Sequence, residues 1–162
     1  MQSASDAKAI GRSLDATINS KSHSDSEVRM AEERSQVSFE VKGLEHTNPI
    51  PSGCRVGRLL ATSAIAGCDS ETGIIPDDGD CQARHAFANL RQILAVGGAN
   101  LGDVVKITVY LADDRDRSAV NKYWRECFPD PHHRPARHVL YLPLRGKTRV
   151  QLEALAVIKE DR

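Results

Sequence analysis

Gly102-Asp103-Val104-Val105-Lys106-Ile107-Thr108-Val109-Tyr110-Leu111 is the stretch on which the fold turns. From residue 103 to residue 112 the pattern alternates. Val105, Ile107, Val109 and Leu111 fall on one face, and Lys106, Thr108 and Tyr110 on the other. A period of two over this length is a strand with one face buried. A second strand of the same kind is expected at about 148–158. There Val150, Leu152, Ala154, Ala156 and Ile158 share one face, while Arg149, Gln151 and Glu153 lie opposite.

Between and before these strands the apolar period changes to that of a helix. Ala83, Ala86, Phe87, Leu90, Ile93 and Leu94 mark one face of a helix from Asp80, its expected cap, to about Val96. Gly97 and Gly98 stop it. A second helix begins at Asp113 or Asp114 and runs to about Phe128, with Val120, Tyr123, Trp124, Cys127 and Phe128 inward. A loop from Pro129 to Pro135 leads to a strand at about 136–142. Upstream, Val37, Phe39 and Val41 alternate with polar residues, and residues 55–65 read as one further strand. The loops 46–53 and 69–80 are rich in Pro and Gly.

The expected order is β-β-α-β-α-β-β, an α+β layer with two helices on one face of a mixed sheet. The other sheet face, with Tyr110, Tyr141 and Leu155 among polar groups, is of the kind that meets solvent or another subunit. Residues 1–36 have no aromatic residue and few large aliphatic ones, so they cannot offset the entropy of ordering. They are expected to be a disordered extension before a domain at 37–160. Met30 offers a second plausible start, which would make the first 29 residues dispensable.

Lysine plus arginine number 22, as do aspartate plus glutamate, so charge gives no reason to expect nucleic acid or membrane as a partner. No apolar run reaches membrane-spanning length, and no apolar segment follows Met1. Cys54, Cys68, Cys81 and Cys127 form no Cys-x-x-Cys pair, which argues for reduced thiols in the cytoplasm and against zinc. His132 and His133 share a Pro-rich loop and read as solvated, and no metal site is expected. No Gly-x-Ser-x-Gly elbow or phosphate loop occurs.

Arg134-Pro135-Ala136-Arg137-His138 is more informative. An arginine at the entry of a strand is held more rigidly than one on a loop, and its planar fork pairs bidentately with a carboxylate. Spacing alone leaves open that Arg137 is an ordinary surface or interface arginine.

The run from Gly102 to Leu111 resembles the central strand of the Rid family, also called the YjgF family. The resemblance continues through Ala119-Val120-Asn121, Phe128, Pro135-Ala136-Arg137 and 150–157. Gly57 to Ser63 followed by Glu71-Thr72-Gly73 extends it upstream, so that it spans about 37–159. It implies a chorismate-mutase-like fold and a barrel-like homotrimer with ligand pockets between subunits. It also implies hydrolysis of reactive enamines and imines to keto acids and ammonia, without a cofactor. Arg137 matches the arginine that holds the substrate carboxylate, and Ser63, Asn121 and His138 fall on or beside pocket positions.

The chain departs from the deaminating members at two places. Ile50, within His46-Thr47-Asn48-Pro49-Ile50-Pro51, stands where many carry a tyrosine. Gln151 stands where they carry a glutamate that positions or activates water, and Glu153, two residues on, aligns with a second glutamate. A glutamine orients water but accepts no proton at neutral pH. The loop and the Pro-rich segment before Arg137 resemble a distinct branch, some of whose members are aminomuconate deaminases. Three readings follow: a hydrolytic deaminase acting on a carboxylate-bearing enamine or imine; a trimer that binds a 2-keto acid or similar small carboxylate without turnover; and a structural or protein-binding trimer.

Overall fold

The computed structural model describes residues 35–159. The expected extension therefore lies, through residue 34, outside the described residues, as does the question of a start at Met30. Seven strands form one mixed sheet: β1 (Gln36–Phe39), β2 (Gly53–Val56), β3 (Leu59–Thr62), β4 (Ile65–Ala66), β5 (Val104–Leu111), β6 (Ala136–Tyr141) and β7 (Val150–Val157). The order across it is β1-β2-β3-β7-β5-β6, with β4 also paired to β7. Only β5 and β6 run parallel, and α2 (Arg117–Cys127) is their crossover. The longer helix, α1 (Gly79–Val96), precedes β5.

Residues 55–65 are not one strand. A tight turn at Gly57, with φ of +55°, folds them into the β2–β3 hairpin, and a break after Thr62 sets off β4. Positive φ suits glycine, which has no Cβ to clash.

The inner face of the sheet carries Leu60, Ile107, Val109, Leu111, Val150, Leu152, Ala154 and Ala156, all at most 1 % exposed. Phe87, Leu90 and Leu94 of α1 and Val120 and Trp124 of α2 close over them. Tyr141, expected on the open face, pairs with Leu111 and so stands on the helix-covered side, and Val105 also departs from its expected face. The strand bulges between Val104 and Lys106, so Val104 turns inward and Val105 stands 53 % exposed.

The cap of α1 is Asp78 rather than Asp80; its side chain accepts from the Cys81 N–H at 2.8 Å. Asp80 instead accepts from the Tyr123 hydroxyl at 2.7 Å and pairs with Lys122 at 3.2 Å, tying α1 to α2. The helix expected from Asp113 or Asp114 starts as a 3-10 turn at Asp114–Asp116 before α2 proper.

Candidate functional site

Arg137 pairs with Ile107 in the parallel β5–β6 ladder, so its side chain stands on the helix-covered side of β6, the edge strand. There its guanidinium carbon lies 4.7 Å from the centre of the Trp124 ring, a stacked cation–π contact. The indole is itself fixed, 7 % exposed and packed at 4.8 Å on Phe128. Nη1 of Arg137 is buried and is the one such side-chain atom without a hydrogen-bond partner among the described residues. Burial, and after it the like charge of Arg117, lower the proton affinity of the group. A buried donor without an acceptor is costly, and an incoming carboxylate would repay that cost.

Asn121 sits one turn before Trp124 and one turn after Arg117 on the same face of α2, the face that meets Arg137. Trp124 and Arg117 are the members of this group that sequence reading did not single out. Their signal is the i, i+4, i+7 stripe Arg117-Asn121-Trp124, which becomes meaningful once α2 is known to cross over β6.

The other expected residues lie elsewhere in the protomer. Gln151 and Glu153 point to the open side of β7, and His138 to the open side of β6. Across that face the ladder forms two rows. His138, Thr108 and Glu153 make the first, and alternation from Ala61 brings Ser63 to its end. Leu140, Tyr110, Gln151 and Ala66 make the second. Glu153 is already engaged, accepting from the Tyr110 hydroxyl at 2.7 Å, a bond that raises the tyrosine pKa. Gln151, one pair along, is the more available of the two. Ile50 is 44 % exposed in the β1–β2 connection, towards the sheet edge opposite β6. Within one protomer, then, Arg137 with Asn121 and Gln151 with Ser63 occupy opposite sides of the sheet.

A cleft of about 440 Å³ does open at the start of both helices, but Arg137 does not line it. Its charges are mutually satisfied. Asp116, 5 % exposed, accepts two hydrogen bonds from Arg149 at 2.9 and 2.8 Å, and Asp80 holds Lys122. A Cβ at Gly79 would collide with the Asp116 carboxylate, so the glycine permits this close approach. The cluster reads as the fastening between α1, α2 and β7. No group of three or more His, Cys, Asp or Glu side chains suited to a metal occurs among the described residues, and all four cysteines are free. None of the described helices is long and apolar enough to cross a membrane.

The chain is 31 % identical over 111 residues to the 2-iminobutanoate/2-iminopropanoate deaminase of Salmonella typhimurium, covering 67 % of this chain and 87 % of that one. It is 32 % identical over 123 residues to a RutC family protein of Pyrococcus abyssi, covering 75 % and 95 %. The crystal structure of the YjgF gene product of E. coli superposes with a TM-score of 0.69 at 27 % identity, over 76 % of this chain and 99 % of that one. E. coli TdcF with bound serine gives 0.69 at 26 %, with the same coverage. The family model described as Endoribonuclease L-PSP matches residues 42–158. Its α+β, chorismate-mutase-like architecture and these matches together place the chain in the YjgF/Rid family.

Proposed function

We propose that the protein is a hydrolytic deaminase of reactive enamines and imines that carry a carboxylate, 2-aminoacrylate-like or aminomuconate-like, and that it works as a homotrimer in the cytoplasm without a cofactor. The observation that carries this is Arg137: a guanidinium backed by an indole, with a buried N–H lacking an acceptor. Relatives named as imine deaminases support the reaction class.

In this reading the substrate carboxylate accepts hydrogen bonds from Arg137, which fixes the C=N carbon in place. Water adds to that carbon as the nitrogen takes up a proton. The resulting aminoalcohol passes its hydroxyl proton to the nitrogen as the C–N bond breaks, giving a keto acid and ammonia. An enamine first takes a proton on carbon to become the imine. The imine also hydrolyses unaided, so positioning accounts for much of what is required.

Since Arg137 and Gln151 stand on opposite sides of one sheet, they can share a substrate only across a boundary between copies. The open face favours such a boundary. Val56, Leu59, Leu155 and Val157 lie on it and are 43, 51, 42 and 39 % exposed. We place Ser63, Gln151 and Ile50 of a neighbouring copy opposite Arg137 and Asn121, with Gln151 orienting the water and His138 at the rim.

Gln151 also favours a second reading, in which the trimer binds a 2-keto acid without turning over its imine, since an amide accepts no proton. Ammonia release from freshly generated 2-iminobutanoate, with and without Arg137→Ala, tests the first reading. The variant should lose at least about tenfold in kcat/KM, the equivalent of a charge-assisted pair of roughly 1.5 to 3 kcal/mol. Equal rates from the two folded proteins would end it. Keto-acid binding without any catalysed release would establish the second.

A further inference from the structure

Gln151 can hold a water but cannot take its proton, so a hydrolytic site built on it needs a proton acceptor elsewhere. Tyr110 stands directly across from Gln151 in the β5–β7 ladder, and Thr108 directly across from Glu153, so all four side chains share the open face. The Tyr110 side chain reaches diagonally past its own partner, and its hydroxyl donates to the Glu153 carboxylate at 2.7 Å. That bond, more than burial, raises the tyrosine pKa, so the phenol keeps its proton at neutral pH.

The Tyr110 hydroxyl has given its hydrogen to Glu153, but its oxygen still has lone pairs with which to accept. Gln151 and Glu153 are two residues apart on β7, about 6.6 Å. Two hydrogen bonds of about 2.8 Å cover most of that interval with one water between them. Such a water is held by the Gln151 amide on one side and donates to the Tyr110 oxygen on the other. Glu153 is the one acidic residue in the seven described strands. His138 lies two strand spacings from it, about 9.5 Å, with Thr108 between them. Lys106, across from Leu155 on the far side of Glu153, is a cation and takes no proton.

We propose that Tyr110 is a catalytic residue, whose oxygen takes the proton of the attacking water as its own proton passes to Glu153. This rests on the deaminase reading, with Gln151 holding the water. The water oxygen bonds to the C=N carbon, and the π pair moves to the nitrogen, which has taken a proton from solvent. Glu153 afterwards returns one proton to solvent, and Tyr110 ends as it began.

The test is steady-state ammonia release from freshly generated 2-iminobutanoate by the full chain. Tyr110→Phe should lower kcat at least about tenfold and leave KM, and the affinity for 2-oxobutanoate by calorimetry, within about twofold. Glu153→Gln should lose as much, because its amide still accepts from Tyr110 but takes no proton; it decides the matter should Tyr110→Phe fail to fold. In Gln151→Glu the water has a base of its own, so adding Tyr110→Phe there should cost less than about twofold. A merely structural bond would give equal losses in both backgrounds, or a loss of binding that matches the loss of rate. Either result, or full activity in a folded single variant, overturns the proposal and leaves the deaminase reading standing. A parent protein that releases no ammonia above the uncatalysed rate ends both.

Discussion

The guanidinium of Arg137 rests on the indole of Trp124, 4.7 Å from its centre, so a β-strand and the helix that crosses over it jointly determine where one cation points. Arginine has a long and mobile side chain, and holding it costs rotamer entropy. A buried ring beneath it meets that cost before any ligand arrives and leaves the edge N–H groups free.

Trp124→Phe should accordingly weaken 2-oxobutanoate binding by about twofold or more, since a phenyl ring attracts a cation less than an indole does and the whole contact is worth about 0.5 to 2 kcal/mol. Calorimetry well below the melting temperature of the variant measures it. Unchanged affinity would mean that the ring merely fills space.

Gln151→Glu should raise the deamination rate. A carboxylate at that position accepts the proton that water must lose, and a positioned base is worth about 100-fold or more. The gain should increase with pH through the titration of the new carboxylate. A rate unchanged across pH 5 to 8 would show that water at Gln151 is not the attacking molecule.

The division of the molecule into an inner and an open sheet face was legible, because 150–158 alternates without interruption and β7 pairs centrally. The bulge at Val104/Lys106 was not legible. Val104, Val105 and Ile107 are all apolar, and hydrophobicity alone does not say which of the first two turns inward. The hairpin at Gly57 was missed because Val56 and Leu59 on either side both favour strand, although the glycine between two arginines, Arg55 and Arg58, was its signal. Arg137 itself could be singled out from its neighbours in sequence. Its support could not, because Trp124 and Arg117 reach it only through the packing of α2 on β6.

Leu155→Lys should dissociate the proposed homotrimer. Leu155 is 42 % exposed on the open face, beside Ala61, where a charge costs the isolated protomer little. Buried against another copy, the same charge would be unpaired. Sedimentation should show monomer for the variant and trimer for the parent, and keto-acid binding should fall with the loss of the neighbouring copy. A trimeric variant would remove this face from the interface.

Gln82→Leu should cost at least about 3 kcal/mol of stability. Gln82 is fully buried. It donates to the carbonyls of Pro76 and Lys147 at 2.6 and 2.8 Å, and accepts from the N–H groups of Arg149 and Val150 at 2.7 and 3.3 Å. Leucine is somewhat bulkier and leaves these backbone groups unsatisfied, at about 1 to 3 kcal/mol each where water cannot replace the bond. The bonds hold the turn that feeds β7, so Gln151 should lose its position as well. Urea unfolding measures the first effect, and a stability within 1 kcal/mol of the parent would contradict it.

Acid should unfold the protein late. Asp113 is held at about 2, below its ordinary 3.8, by hydrogen bonds from the Arg115 side chain and backbone. Asp80 is lowered chiefly by the Tyr123 hydroxyl, Asp130 by the His133 ring and Asp78 by the Cys81 backbone N–H. A carboxyl whose pKa is depressed in the folded chain takes its proton first in the unfolded chain. The stability it contributes is therefore complete above about 4 and disappears as pH falls toward the folded value. The melting temperature should be nearly level from pH 8 to 5 and fall between about 4.5 and 2, with a smaller fall in Asp113→Asn. A steep loss already between pH 7 and 5.5 would assign acid sensitivity to a histidine instead, because carboxylates lowered in this way are fully ionised there.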